Sequence, residues 1–153
     1  MPDPLLPKDL PMPDAPSDPT CIFCKIGTGQ IPCHKLYEDE TVLAFLDIGP
    51  LSHGHCLIIP KGHYVTIDQM PPEAVTACTR LLPGLSRAVV AATGCKGWNI
   101  LQNNGKIAGQ AVDHLHFHII PRTAGDNLGY RWPAGKLDPA QAKVLVEEIT
   151  RAL

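Results

Sequence analysis

The stretch His114-Leu115-His116-Phe117-His118-Ile119-Ile120 decides how the fold of this chain is interpreted. Polar and apolar residues alternate through it, as in a β-strand whose successive side chains point to opposite faces. The alternation predicts a strand over residues 112–120, closed by Pro121, with the three imidazoles on one face and apolar side chains in the core. Burying the ring nitrogens of three imidazoles without partners costs on the order of several kcal/mol. We therefore expect this face to bind an anion, a metal or both.

The sequence on either side of this strand predicts an α+β fold. Pro71-Pro72 opens a helical segment that Pro83-Gly84 interrupts and Gly94 ends. Asp138-Pro139 is a typical start for a C-terminal helix. Strands mixed with one central helical segment favour the α+β class over a doubly wound sheet. The predicted strands are residues 34–37, 41–47, 53–59 and 98–102, and a short helix is predicted at residues 20–26.

Composition limits the classes of partner. The chain has 153 residues and a formal net charge of −2, so it has no cationic excess for a phosphate backbone, and we expect no duplex nucleic acid partner. The longest apolar runs are far shorter than the roughly 20 residues of a membrane span, and we expect no membrane partner. No apolar leader follows Met1, which favours the cytoplasm.

The chain divides by its proline content. Seven prolines fall within residues 1–19, where they oppose both helix and sheet. We interpret residues 1–19 as a proline-rich flexible tail and residues 20–153 as a single domain.

Two kinds of chemistry suit the histidine-rich face. Imidazoles ligate zinc, or they act on phosphate, one as a nucleophile and others as anion binders. Cys21-x-x-Cys24 has the spacing of two zinc ligands, and His63 is a further histidine after the predicted strand at residues 53–59. These residues and one of the three clustered histidines would complete a four-ligand site. This allocation is not unique on spacing alone, and a redox Cys-x-x-Cys pair remains an alternative.

The chain resembles the histidine triad (HIT) family of nucleotide hydrolases and transferases. Residues 114–120 match the family signature of three histidines separated by apolar residues. The resemblance is strongest to the zinc-bearing bacterial HIT-like branch, and it implies a HIT-like fold with an antiparallel sheet, and a homodimer. The other matching blocks are Cys-Ile-Phe-Cys-Lys-Ile at 21–26, Ala-Phe-Leu-Asp-Ile at 44–48, Gly-His-Cys-Leu-Ile-Ile-Pro-Lys at 54–61 and residues 103–110.

The resemblance implies a catalytic role for three histidines. His116 would attack the α-phosphorus of a nucleotide, and water would then release the nucleoside monophosphate from the nucleotidyl-histidine. His118 and His55 would hydrogen-bond the phosphate oxygens as negative charge grows on them. His114 would be the fourth ligand of a structural zinc ion. The other three ligands would be Cys21, Cys24 and His63.

The resemblance also implies how a purine nucleotide such as AMP or GMP would bind. Asp47 would accept hydrogen bonds from the ribose hydroxyls. Four apolar residues would contact the base, although core packing explains them equally well, and two polar residues flank a glycine-rich loop near the phosphates. The first set is Ile22, Phe23, Phe45 and Ile48, and the second is Asn103 and Gln110.

Ala111 departs from the family pattern, because many relatives have Ser or Thr there. Loss of this hydroxyl predicts slower cleavage of phosphoramidates, by about 10- to 100-fold. Two hydrolytic substrates stay open, a nucleoside phosphoramidate or a diadenosine polyphosphate, and Arg122 slightly favours the second because it could contact another phosphate. Alternatives are a nucleotide-binding or scaffold protein with little turnover and a catalytic metal site that uses all three clustered histidines.

Overall fold

The computed structural model describes residues 15–129 and 132–153. Its five strands form one antiparallel sheet in the order β1-β2-β3-β5-β4, so the expected α+β class with an antiparallel sheet is confirmed. The strands are β1 (Lys35–Glu38), β2 (Val42–Leu46), β3 (Cys56–Pro60), β4 (Gly97–Gln102) and β5 (Phe117–Arg122), and the helices are α1 (Ile22–Gly27), α2 (Pro72–Thr79), α3 (Leu82–Thr93) and α4 (Pro139–Ala152).

Helices α2 and α3 cover one face of the sheet. The central helical segment breaks between Thr79 and Leu82, and Pro83 lies in the first turn of α3, where its missing N–H leaves no hydrogen bond unmade. Gly94 ends α3 with a φ of 69°, which is the left-handed conformation that glycine adopts easily. The buried sheet residues on this face are Val42, Ala44, Cys56, Ile58, Phe117 and Ile119, which cluster with Ala74, Cys78 and Val89 of the helices.

The opposite face of the sheet carries the polar residues singled out above. Phe23 of α1 covers part of it, in a second cluster with Leu43, Phe45, Leu57 and Ile59. Because side chains alternate along a strand, the same face receives Asp47 after β2, His55 before β3 and His118 within β5.

The expected bounds of the histidine-rich strand are wrong. Strand β5 begins at Phe117 and continues through Pro121 to Arg122. The residues before it do not pair with a strand, because the Leu115 amide donates to the carbonyl oxygen of Tyr64 at 2.6 Å. Pro121 is accommodated because the pairing with β3 has already stopped at Ile119, so only β4 remains as a neighbour.

The described part of the proline-rich N-terminal segment contacts the domain. Residue Pro16 accepts a hydrogen bond from the amide of His63 at 2.6 Å, so the last part of the proline-rich segment lies against the chain. Residues 1–14 fall outside the described residues, and the flexible tail stays a prediction.

Helix α4 has no buried residue, although Asp138 caps it as expected by accepting from the amides of Ala140 and Gln141. Among the described helices, none has the length and apolar character needed to cross a bilayer.

Replacing Gly54 should destabilise the fold more than replacing Gly94. Both have positive φ, at 88° and 69°, but a Cβ at Gly54 would lie 2.5 Å from Cγ2 of Thr93. The Thr93 rotamer is held by its hydroxyl, which donates to the carbonyl of Val89 at 2.7 Å. We expect Gly54→Ala to cost about 2–4 kcal/mol of unfolding free energy and Gly94→Ala about 1 kcal/mol. Urea unfolding measures both, and equal losses would contradict the contact with Thr93.

Candidate functional site

His116 is a buried imidazole with one ring nitrogen already committed. Its Nδ1 lies 2.7 Å from the carbonyl oxygen of His114, and a carbonyl can only accept. Nδ1 therefore carries the proton of the neutral ring, and the lone pair is on Nε2. Burial lowers the pKa of His116, opposed by this hydrogen bond and by Asp47. A neutral imidazole with a fixed lone pair on Nε2 is suited to nucleophilic attack.

His55 and His118 form a hydrogen-bonded pair beside His116. Nε2 of His55 lies 2.9 Å from Nδ1 of His118, and the ring centroids of His116 and His118 are 4.7 Å apart. Burial, followed by His116 and His55, lowers the pKa of His118 to about 4. Burial also lowers the pKa of His55, although Asp47, with an oxygen 3.7 Å from its Nε2, opposes the shift. A neutral His118 can donate its remaining N–H to a phosphoryl oxygen without bringing a permanent charge. Both ring nitrogens of His55 already have partners, the Leu51 amide and His118, so the expected direct contact of His55 with phosphate oxygens remains a prediction.

The four sequence-predicted zinc ligands come together. Their ligand atoms all lie within 4.8 Å of one another, and Cys24 Sγ is 3.4 Å from His63 Nδ1. Sγ of Cys21 is 3.5 Å from Nδ1 of His114, and Sγ of Cys24 is 3.6 Å from the same atom. A tetrahedral zinc site places sulfur and nitrogen ligands about 3.6 Å apart. His114 donates from Nε2 to the Pro60 carbonyl at 2.9 Å, which leaves Nδ1 unprotonated for a metal. The donor set therefore fits zinc.

The three clustered histidines do not share one metal group. Among the described residues, His114 belongs to the group with the cysteines, and His118 belongs to a second group with Asp47 and His55. His116 is in neither group. This division opposes a catalytic metal site built from all three.

The residues expected around a nucleoside divide into exposed and buried sets. Ile48 is 86% exposed and Ile22 is 44% exposed, whereas Phe23 and Phe45 are buried. The ring of Phe23 lies edge-on to His114 and His116, with centroids 5.8 and 5.2 Å away. Phe23 therefore packs against one ring of the metal-ligand group and against the ring of His116, a role that the sequence did not predict.

Asp47 keeps acceptor capacity at the surface. One carboxylate oxygen accepts from the Gly49 amide at 2.8 Å, and the side chain is 21% exposed. A carboxylate has further lone pairs, so Asp47 can accept additional hydrogen bonds.

Gln110 supports the glycine-rich loop from inside. Its Oε1 accepts from the Gly105 amide and its Nε2 donates to the Val65 carbonyl, both at 2.7 Å. The side chain is buried, so direct contact with a nucleotide would require one of these bonds to break. Asn103 donates from Nδ2 to the Gly109 carbonyl at 3.3 Å, and the nucleotide contacts of both residues remain predictions. Sequence reasoning missed the loop-bracing role because the partners are backbone groups.

Arg122 is occupied by its own neighbours. Its guanidinium donates to the carboxylate of Asp126 at 2.7 Å, to Asn99 at 2.7 Å and to the carbonyl of Leu128. The Asp126 charge balances that of Arg122, so this residue gives little support for contact with a second phosphate.

A pocket of about 300 Å³ is lined in part by sheet neighbours of His118. Leu101, one of its lining residues, pairs directly with His118 across strands β4 and β5. Ile120 lies two residues further along β5, on the same face. The other lining residues are Leu51, Asn103, Ala108, Arg122, Leu128, Gly129 and Trp132.

Comparisons with known proteins agree with this geometry. The HIT domain model matches residues 28–125. The protein named adenylylsulfatase HINT3 of Arabidopsis thaliana is 54% identical over 108 residues, which are 71% of this chain and 55% of that protein. Adenosine 5'-monophosphoramidase hnt1 of Schizosaccharomyces pombe is 48% identical over 132 residues, which are 86% of this chain and 96% of that protein.

A solved structure is similar in fold as well. The crystal structure of a Zn-bound histidine triad family protein from Mycobacterium smegmatis superposes with a TM-score of 0.67 and 35% identity, covering 88% of this chain and 98% of that chain. The family model spans well over half of the residues, and its range includes the three clustered histidines at 114, 116 and 118. The chain belongs to the HIT domain family.

Proposed function

We propose that this protein hydrolyses a bond at the α-phosphorus of a purine nucleotide and releases the nucleoside monophosphate. The observation that carries the proposal is the 2.7 Å hydrogen bond from Nδ1 of His116 to the His114 carbonyl, which leaves Nε2 as the nucleophilic atom. Relatives named adenosine 5'-monophosphoramidase and adenylylsulfatase support an adenosine nucleotide and a hydrolytic reaction.

The reaction proceeds in two displacements at phosphorus. Nε2 of His116 attacks the α-phosphorus, an N–P bond forms, and the bond to the leaving group breaks. The leaving group takes a proton from solvent as it departs, and the water that attacks in the second displacement returns one proton to solvent. Water then attacks the same phosphorus, the N–P bond breaks, and the lone pair returns to Nε2. The Nε2–H of His118 stabilises the charge that develops on the phosphoryl oxygens, which is the principal catalytic demand in phosphoryl transfer. His55 contributes through its hydrogen bond to Nδ1 of His118.

We assign the nucleoside to the exposed residues near Asp47. Asp47 accepts from the ribose hydroxyls, and Ile22 and Ile48 offer exposed apolar surface to the base. Phe23 and Phe45 support this surface from the core. The leaving group occupies the pocket of about 300 Å³, whose lining includes several apolar side chains.

A phosphoramidate is the substrate class that we favour. Arg122 is neutralised by Asp126, which removes the main argument for a diadenosine polyphosphate, and one relative is named a monophosphoramidase. A diadenosine polyphosphate is the second candidate. The alternative is a protein that binds nucleotides with little turnover. An adenylyl group on His116 and release of the monophosphate would exclude it.

We further propose a structural zinc ion held by Cys21, Cys24, His63 and His114. The sulfur and nitrogen spacing supports it, as does the Zn-bound relative. Zinc bound there would cross-link α1, the loop after β3 and the segment before β5, and we assign it no part in the reaction. Thiolate ligands favour a reducing compartment such as the cytoplasm, and all six cysteines are free.

We propose a homodimer as the working form. Trp98 and Ile100 are each more than 40% exposed on β4, which lies at one edge of the sheet. The other edge strand, β1, carries the ion pair of Lys35 and Glu38, and charges of this kind oppose edge association. Exposed apolar side chains on an unpaired edge favour association with a second copy.

The first prediction concerns a covalent intermediate. Rapid quenching in an alkaline denaturant after mixing with adenosine 5'-phosphoramidate should show one adenylyl group on the peptide that contains His116, by mass spectrometry; the quench is alkaline because the N–P bond of a nucleotidyl-histidine hydrolyses in acid. His116→Ala should lack this group and lose at least about 10³-fold in kcat, whereas His53→Ala, an exposed histidine outside the site, should behave as wild type. Nucleotide binding without any adduct or monophosphate release would support the binding protein instead.

The second prediction concerns metal content. We expect one zinc ion per chain by elemental analysis, retained in His116→Ala and lost in Cys24→Ser. Removal of the ion by a chelator should lower the Tm by about 10 °C, since a metal that binds only the folded state stabilises it. Zinc that disappears in His116→Ala but persists in Cys24→Ser would contradict the assignment.

The third prediction concerns the residue that departs from the family pattern. Ala111→Ser should raise kcat for a phosphoramidate by about 10- to 100-fold, because the hydroxyl restores one hydrogen bond to the departing amine or a phosphate oxygen. Ala91→Ser, at an exposed alanine of helix α3 on the opposite face of the sheet, serves as the control. An unchanged turnover in Ala111→Ser would refute this role.

The fourth prediction concerns assembly. Light scattering should give twice the chain mass of 16.5 kDa, and a charged substitution on the β4 edge, Ile100→Glu, should shift the mass toward that of one chain. A matched change on the other edge, Leu36→Glu, should leave the dimer intact. A wild-type monomer at micromolar concentration would contradict the proposal.

A further inference from the structure

His55 accepts a hydrogen bond from a group that can only donate. Its Nδ1 lies 3.0 Å from the backbone amide of Leu51, and a backbone N–H only donates. Nδ1 of His55 must therefore hold a lone pair. Because a neutral imidazole carries one N–H, the proton of His55 lies on Nε2.

The next hydrogen bond in the chain transfers this constraint to His118. Nε2 of His55 lies 2.9 Å from Nδ1 of His118, and since Nε2 donates, Nδ1 of His118 accepts. The proton of the neutral His118 ring must then lie on Nε2. Burial and the neighbouring imidazoles lower the pKa of His118 to about 4, so the ring is neutral near pH 7. No partner for this Nε2–H comes from the described residues, and it is available to a substrate oxygen.

We propose that the backbone amide of Leu51 is a positioning group that fixes the proton positions on His55 and, through it, on His118. The inference rests on the proposed function, because the aligned Nε2–H of His118 is the donor that a phosphoryl oxygen needs. If the proton of His118 were on Nδ1 instead, a lone pair on Nε2 would face the negatively charged oxygen and repel it.

The local backbone holds the Leu51 amide in place. The amide of His55 donates to the Ser52 carbonyl at 3.1 Å, and the Asp47 amide donates to the His55 carbonyl at 3.0 Å. Gly54 closes the turn with a positive φ, against Thr93 of α3. The turn therefore presents the Leu51 amide to a buried ring, while the Leu51 side chain is 55% exposed and contributes little to the contact.

The same chain of hydrogen bonds opposes a divalent cation among Asp47, His55 and His118. The ligand nitrogens of the two histidines face each other across one shared proton. A cation would have to displace that proton from His55 while the Leu51 amide still occupies its other nitrogen. Asp47, His55 and His118 therefore form a hydrogen-bonded cluster, not a metal site.

The test measures protonation of the ring nitrogens directly. In wild type without substrate, nitrogen-15 spectra of the histidine rings, assigned with His118→Gln, should show protonated Nε2 and unprotonated Nδ1 for both His55 and His118. Leu51→Pro removes the N–H, and an amide-to-ester replacement at Leu51 removes it while keeping the side chain. Either change should give His55 a mixture of tautomers and lower kcat by about tenfold with little change in KM. Leu51→Ala keeps the amide and should keep the wild-type tautomers.

Two results would overturn the inference. One is a wild-type His118 protonated on Nδ1, and the other is an ester variant in which both rings keep a single Nε2–H tautomer. A variant that is merely less stable would unfold earlier in urea with unchanged tautomers, and this too counts against the inference. Because the spectra need no substrate, they decide the role of the amide even if the protein hydrolyses no phosphoramidate.

Discussion

The hydrogen bond from Nδ1 of His116 to the carbonyl oxygen of His114 is the constraint on which the site depends. It places the proton of the neutral ring on Nδ1 and leaves the lone pair on Nε2, the atom that we propose attacks phosphorus. The acceptor is a backbone atom, so its position depends on how the segment before β5 is held. The Leu115 amide is bound to the Tyr64 carbonyl, and the ring of His114 is bound to the carbonyl of Pro60.

His114 belongs to both the metal-ligand group and the surroundings of His116. The side chain of His114 contributes Nδ1 to the metal-ligand group, and its carbonyl orients the ring of His116. Phe23 lies edge-on to both rings and comes from α1, the helix that also supplies Cys24. A disturbance of the metal-ligand group is therefore expected to change the orientation of the His116 ring. A similar dependence on backbone groups holds for His55, whose Nδ1 is bound to the Leu51 amide.

The sequence predicted the fold class and the order of elements, because these follow from local periodicity. Spacing alone left open which clustered histidine would join Cys21, Cys24 and His63, and the choice of His114 came from the resemblance to the HIT family. The sequence misplaced the start of β5, because the pairing of Leu115 with Tyr64 is a long-range contact that alternation does not encode. It also could not show that Gln110 points inward to Gly105 and Val65, or that Asp126 neutralises Arg122. The tautomers of His55 and His118 depend on a backbone amide, which has no residue type to recognise.

A crystal structure of the protein with AMP bound would test the role of His116 directly. Nε2 of His116 should face the phosphorus on the side opposite the leaving-group pocket, with Nδ1 still on the His114 carbonyl and Nε2 of His118 on a phosphate oxygen. A ring of His116 turned away from the phosphorus, or bound through Nε2 to a metal ion, would contradict this role.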